Sequence, residues 1–110
     1  MTVTADDFAT LKAMYPDAEI MADDGVDHVF IPKLPILTGG KNIALNALLR
    51  TGEHEGYLTR LFVERQIDGK GQNWKQYQIL GRTWFAPSWN HIPADLPILS
   101  MLANHVAAFR

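Results

Sequence analysis

Ser88, His91 and Asp95 supply a hydroxyl, an imidazole and a carboxylate, the groups that a nucleophile, its base and the orienter of that base require. Their surroundings argue for something plainer. Pro87 and Pro93 confine Ser88 and His91 to one short loop, no Gly-x-Ser-x-Gly elbow presents the serine, and Asp95 has a better use as a helix cap. A structural loop is favoured over a hydrolase. Glu53, His54 and Glu55 offer hard-metal donors, but chain neighbours point in different directions and no second histidine follows at ligand spacing. That run reads as a solvated loop, and no metal is expected. His28, in a predicted strand, and His105, on a predicted helix flank, read as partly buried structural residues. The glycines of TGGKN and DGKGQN lack the strand, lysine and hydroxyl context that cradles phosphate, so they read as turns and no cofactor is expected. The chain has no cysteine, which excludes disulfides, thiolate zinc sites and a cysteine nucleophile.

Recognition has better candidates. Trp84 and Phe85 crowd against Pro87 and suit a core, whereas Trp89, between Ser88 and Asn90 and followed by His91, suits an exposed interface anchor equally well. Arg82, just upstream, has the forked geometry that grips a carboxylate, although pairing with a surface aspartate is the commoner use. The binding candidates are therefore Arg82, Trp84, Trp89, Asn90 and His91. Any hydroxyl chemistry would have to start from Thr83 or Ser88, with His91 as the nearby imidazole.

These residues need a scaffold, and the pattern around them suggests one. Ile98, Leu99, Leu102, Val106 and Phe109 recur at helical spacing, while Ser100, Asn104 and Arg110 fall elsewhere, so a C-terminal helix is predicted from an Asp95 cap with Pro97 in its first turn and an apolar stripe, Leu102 and Val106 buried, on a sheet. Thr4 and Asp7 open a shorter helix over about Ala5 to Tyr15, with Phe8, Leu11, Met14 and Tyr15 on its apolar face and Pro16 stopping it. EIMA and VDHVFI flank Asp23-Asp24-Gly25, a hairpin signal. Pro32 and Pro35 predict an extended path outside the ladder, ending at Gly39-Gly40. Asn42 to Arg50 reads as a strand in preference to a helix, and YLTRLFVERQI as a fourth strand. WKQYQIL either extends the sheet or runs as a short segment towards Gly81. The expectation is one α+β domain over residues 1–110: an N-terminal helix, a four-stranded antiparallel meander, an aromatic loop and a C-terminal helix, stacked in two layers.

Composition narrows the function classes. Hydrophobic residues at 47% and charged residues at 20% are ordinary for a globular domain, and the apolar runs are too short to span a bilayer. A net charge of -2 with no Lys/Arg cluster argues against nucleic acid as partner. The polar, acidic start does not resemble a signal peptide, so a cytoplasmic location is expected.

The PKLP segment entering the sheet, followed by NWKQYQILGRTWFAPSWNHIPADLPILSMLANHVAAF, resembles the bacterial family E branch of the ubiquitin-conjugating-enzyme (E2) superfamily. Trp84-Phe85-Ala86-Pro87 falls where such proteins carry a Trp-Ser-Pro-like turn before the helix after the active site. The resemblance implies an E2-like (UBC) fold and two partners, a ubiquitin-like protein and an E1-like enzyme. It also implies a cysteine shortly before that tryptophan, and here Lys75 to Leu80 has none, nor is there a His-Pro-Asn motif. Three readings stay open: a non-catalytic E2-like component that binds its partners, an E2-like transferase using a hydroxyl and an oxyester, and an unrelated α+β interaction module.

Overall fold

Thr4 begins the first helix by accepting the Asp7 N–H on its Oγ1 at 3.1 Å, with Asp6 and Asp7 in the first turn to complement the helix dipole. The computed structural model describes residues 3–23, 25–67, 73–88 and 92–110. In order, the elements are α1 (Ala5–Met14), β1 (Glu19–Asp23), β2 (Val26–Thr38), β3 (Lys41–Arg50), β4 (Arg60–Val63), β5 (Lys75–Ile79), β6 (Arg82–Ala86) and α2 (Ile98–Ala107). On α1, Leu11 is fully buried and Phe8 and Tyr15 pack against the core, but Met14 is 64% exposed and drops out of the predicted apolar face.

The strands form one antiparallel sheet in the order β1-β2-β3-β4-β6-β5. The architecture is α+β, as expected, but the sheet has six strands where four were predicted. The extra pair is the β5–β6 hairpin, whose returning strand lies between β4 and β5, so the chain is not a simple meander. The predicted aromatic loop is therefore a strand as far as Ala86, with Trp84 and Phe85 pointing to opposite faces. Two of the hairpins share one turn geometry. Gly39 and Gly40 adopt φ of +55° and +76° between Thr38 and Lys41, and glycine suits that left-handed backbone. Leu80 and Gly81 adopt the same geometry, φ of +55° and +73°, between Ile79 and Arg82.

Pro32 and Pro35 do not interrupt pairing, contrary to the sequence-based expectation. Strand β2 runs through both prolines against β3, with a bulge between Ile31 and Leu34. β1 flanks β2 only as far as Phe30, so Pro35 lies where one side of β2 has no neighbouring strand among the described residues, and Pro32 lies in the bulge. The extra residue keeps Ile31 and Leu34 on the same face, and both are fully buried. Asn46 supports the bulge, accepting the Lys33 N–H on Oδ1 at 3.0 Å while its own N–H reaches Glu64 Oε1 at 2.8 Å. Asn42 to Arg50 is strand, as the alternation favoured.

One sheet face packs on the helices: Val29, Ile31, Leu45, Ala47, Leu49, Leu61 and Val63 join Leu11, Ile98, Met101, Leu102 and Phe109 in the main core. Trp74 stacks on Phe109 at 5.8 Å between ring centres. Helix α2 starts later than predicted. Pro97 is its N-cap with no side-chain cap bond, and Asp95 lies in the turn before it. The ring of a proline disfavours helical backbone in the residue preceding it, so Leu96 cannot extend the helix backwards to an Asp95 cap. The stripe is also shifted: Met101 and His105 are buried with Ile98, Leu102 and Phe109, while Leu99 and Val106 are only partly buried. Among the described residues no helix is long and apolar enough to cross a membrane.

Candidate functional site

The opposite sheet face carries a second, smaller apolar cluster of Leu48, Phe62, Ile79, Trp84 and Ala86, with Phe30 and Tyr77 packed on it. Trp84, from β6, is 2% exposed and donates Nε1–H to the Ile79 carbonyl at 3.2 Å. Phe30, from β2, meets it edge-on at 6.3 Å between ring centres, although β3 and β4 separate their strands, so the sheet must curl on this side. Met21, Phe30, Leu80, Arg82 and Trp84 line an open groove of about 290 Å³ here. Two of the sequence-predicted binding residues, Arg82 and Trp84, are thus brought to one place. Arg82 is exposed and makes no ion pair or side-chain hydrogen bond among the described residues. Trp89, Asn90 and His91 lie outside the described residues.

The candidate hydroxyls are engaged elsewhere. Gln78 Nε2 donates to Thr83 Oγ1 at 2.7 Å, and Ser88 Oγ donates to the Asn73 carbonyl at 3.3 Å. A hydroxyl–imidazole pair does occur at positions the sequence did not single out together. Thr59 Oγ1 lies 2.8 Å from His105 Nε2 and donates to the Ile92 carbonyl at 2.9 Å. Because the threonine proton is committed to that carbonyl, the imidazole must donate, and Thr59 Oγ1 is an acceptor from His105 rather than a nucleophile activated by it. Thr59 is 2% exposed and His105 4%, and burial, with Arg60 nearby, pushes the His105 pKa down to about 4. The pair ties α2 to the residue preceding β4 and to the segment entering α2. No simple spacing announces a pair so distant in sequence.

Beside the aromatic cluster lies a buried cation. Arg60, at the start of β4, is 2% exposed. Its Nη1 donates to Tyr77 Oη at 3.0 Å and to His54 Nδ1 at 3.3 Å, its Nη2 donates to the Pro87 carbonyl at 3.2 Å, and its guanidinium carbon sits 4.0 Å from the centre of the Tyr57 ring. Glu55 Oε2 is 3.9 Å from Arg60 and accepts the Tyr77 hydroxyl proton at 2.8 Å. A guanidinium can only donate, so His54 Nδ1 is the acceptor and the ring is held neutral. Burial, then Arg50 and Arg60, lowers the His54 pKa, and the hydrogen bond from Tyr77 lowers that of Glu55. His54 packs edge-on against Phe62 at 5.4 Å and Tyr77 at 5.1 Å. Of the Glu53-His54-Glu55 run only His54 packs on the sheet: Glu55 reaches Tyr77 and Arg60 from an exposed position, and Glu53 is exposed with its carbonyl accepting from Arg50. Among the described residues no group of three or more His, Asp or Glu side chains could hold a metal.

His28 lies on the same sheet face, 6.3 Å from the Phe62 ring centre. Its Nδ1 is 3.2 Å from the Val26 carbonyl and so carries the proton, leaving a bare Nε2 that is buried without a partner among the described residues. Burial, then Arg50, lowers its pKa. Compared with protein-family models, with curated proteins and with solved structures, the chain matches none.

Proposed function

We propose that this protein acts by binding, as an E2-like component of a bacterial ubiquitin-like conjugation system that engages a ubiquitin-like protein or an E1-like enzyme without forming a thioester. The observation that carries the reading is the groove on the sheet face away from the helices, where Arg82 has no ion-pair or side-chain hydrogen-bond partner among the described residues and stands beside an apolar slot lined by Phe30 and Trp84. Apolar aromatic anchors with arginine beside them are the residue types that concentrate interface energy. Two chemical facts lend support: the chain has no cysteine, and among the described residues Thr83 Oγ1 accepts from Gln78 and Ser88 Oγ donates to the Asn73 carbonyl, with no imidazole on either. The resemblance noted in the sequence shares with this fold only the coarse order of helix, antiparallel strands and helix, and the six-stranded sheet departs from the four-stranded meander expected of it.

The test is capture of a ubiquitin-like protein or an E1-like enzyme from an extract of the source cells, using the purified chain as bait and mass spectrometry as readout. One of the two should be retained, and Arg82→Glu should reduce retention at least tenfold. With ATP present, no adduct sensitive to reducing agent should form on the chain. Retention of neither partner would overturn the reading, and a base-labile adduct that disappears in Thr83→Ala or Ser88→Ala would replace it with hydroxyl-dependent transfer.

A further inference from the structure

We propose that the groove beside Phe30 and Trp84 takes the free C-terminus of a protein chain ending in a large apolar residue, with Arg82 gripping the terminal carboxylate. The inference rests on the partner-binding reading above and specifies the chemistry of the contact. At about 290 Å³ the groove lies at the small end of ligand sites, which run from roughly 300 Å³ upwards, so it fits a residue or two rather than a folded surface. Four of its five lining residues, Met21, Phe30, Leu80 and Trp84, are apolar, and the fifth is Arg82. Arg82 has its whole donor fork available among the described residues, and a guanidinium recognises a carboxylate through two parallel bonds. A slot and a cation this close together suit a ligand that carries an apolar body and a carboxylate on one residue. A chain terminus does so, whereas an aspartate or glutamate side chain would need a second residue to fill the slot.

The turn supplies an independent observation. Leu80 holds φ of +55°, a conformation that side chains with a Cβ rarely adopt, whereas the equivalent β2–β3 turn uses Gly39-Gly40. A large apolar side chain, 36% exposed, is thus kept at the groove against its backbone preference. Such outliers gather at ligand clamps. Glu19 and Asp23 share the Met21 face of β1 by strand alternation, and Glu19 pairs with Phe30. Their negative charge disfavours a carboxylate at the β1 end, which leaves Arg82 as its place and directs the apolar side chain towards Phe30.

The experiment is a titration of the isotope-labelled full chain, followed by backbone amide resonances, with an N-acetylated tetrapeptide ending in leucine, supplied as the free acid and as the carboxamide. A third peptide, blocked at both ends, carries an internal aspartate beside leucine. The free acid should shift the amides of Phe30, Leu80 and Arg82 saturably and bind at least tenfold more tightly than either blocked peptide. Arg82→Gln should abolish the difference between acid and carboxamide without lowering the melting temperature, and Leu80→Gly should weaken binding of the acid. Equal binding of acid and carboxamide, a blocked aspartate peptide as tight as the acid, or no saturable shift would overturn the inference. The titration and the capture experiment fail separately: acid-selective binding without capture would uphold the inference while the partner reading fell, and capture without acid-selective binding would do the reverse.

Discussion

Arg60 and Tyr77 meet at 3.0 Å on the sheet face away from the helices, and the phenol donates its own O–H to Glu55 at 2.8 Å, so one side chain links a buried cation to an exposed anion. The same guanidinium is the donor to the Pro87 carbonyl. One residue of β4 therefore fixes both the β3–β4 loop and the chain leaving β6.

Arg60→Ala should lower stability in urea denaturation by about 3 kcal/mol, combining a buried carbonyl left without its donor and a cavity under the Tyr57 ring. Arg60→Lys should cost less, about 1–2 kcal/mol, because one ammonium cannot reproduce the fork that reaches Tyr77 and Pro87 together. An alanine variant within about 0.5 kcal/mol of the parent would show that the cluster only decorates the surface.

Asn46 holds the bulge that lets β2 pass through Pro32 and keep its core residues on one face. Asn46→Ala should cost about 1 kcal/mol, and hydrogen exchange at the Lys33 amide should accelerate more than at Val29. Equal acceleration at both would mean that the bulge does not depend on this side chain.

The parts of the fold legible in the sequence are those set by local chemistry. Thr4 and Asp7 specify a cap, Gly25 and Gly39-Gly40 specify turns, and alternation through Asn42 to Arg50 specifies a strand. WKQYQIL is legible as a possible extension of the sheet, and Lys75–Ile79 is a strand, but its hairpin with β6 is not signalled because the turn is Leu80-Gly81 and leucine does not mark left-handed backbone. Helix α2 begins beyond the predicted Asp95 cap because the restriction that Pro97 imposes on Leu96 outweighs the capping preference of an aspartate. At the candidate site, Arg82 and Trp84 share a face because they alternate along one strand, but Met21 and Phe30 reach them only through the order and curl of the sheet. The Arg60 cluster and the Thr59–His105 pair join residues far apart in sequence, and no local spacing encodes them.

Leu102 is 2% exposed in the main core, facing the sheet from α2. Leu102→Asp would bury a charge with no partner, which costs several kcal/mol or more, so the chain should lose its cooperative melt and enter the insoluble fraction. A soluble variant with a cooperative transition would place the stripe outside the core.

The three described histidines also predict how the fold responds to acid. Burial lowers the pKa of His28, His54 and His105 below the ordinary 6.5, and brings His105 to about 4. When the folded pKa is depressed, the unfolded chain binds the proton more readily, so stability is complete above about pH 6.5 and is lost as the pH falls towards 4. For His105 the loss should be on the order of 3 kcal/mol across that window, since each unit of pKa is worth about 1.4 kcal/mol. Carboxylates with lowered pKa, such as Glu55, act in the same direction but below their own ordinary range, so the early part of the decline belongs to the histidines. His105→Gln keeps a donor for Thr59 without a titrating ring, and it should flatten the dependence between pH 6.5 and 5 while leaving part of the slope to His28 and His54. Urea midpoints measured at half-unit intervals from pH 7 to pH 4.5 test this directly. A parent protein equally stable at pH 7 and pH 5, or a His105→Gln variant with an unchanged slope, would mean that the His105 imidazole is not held neutral by the fold.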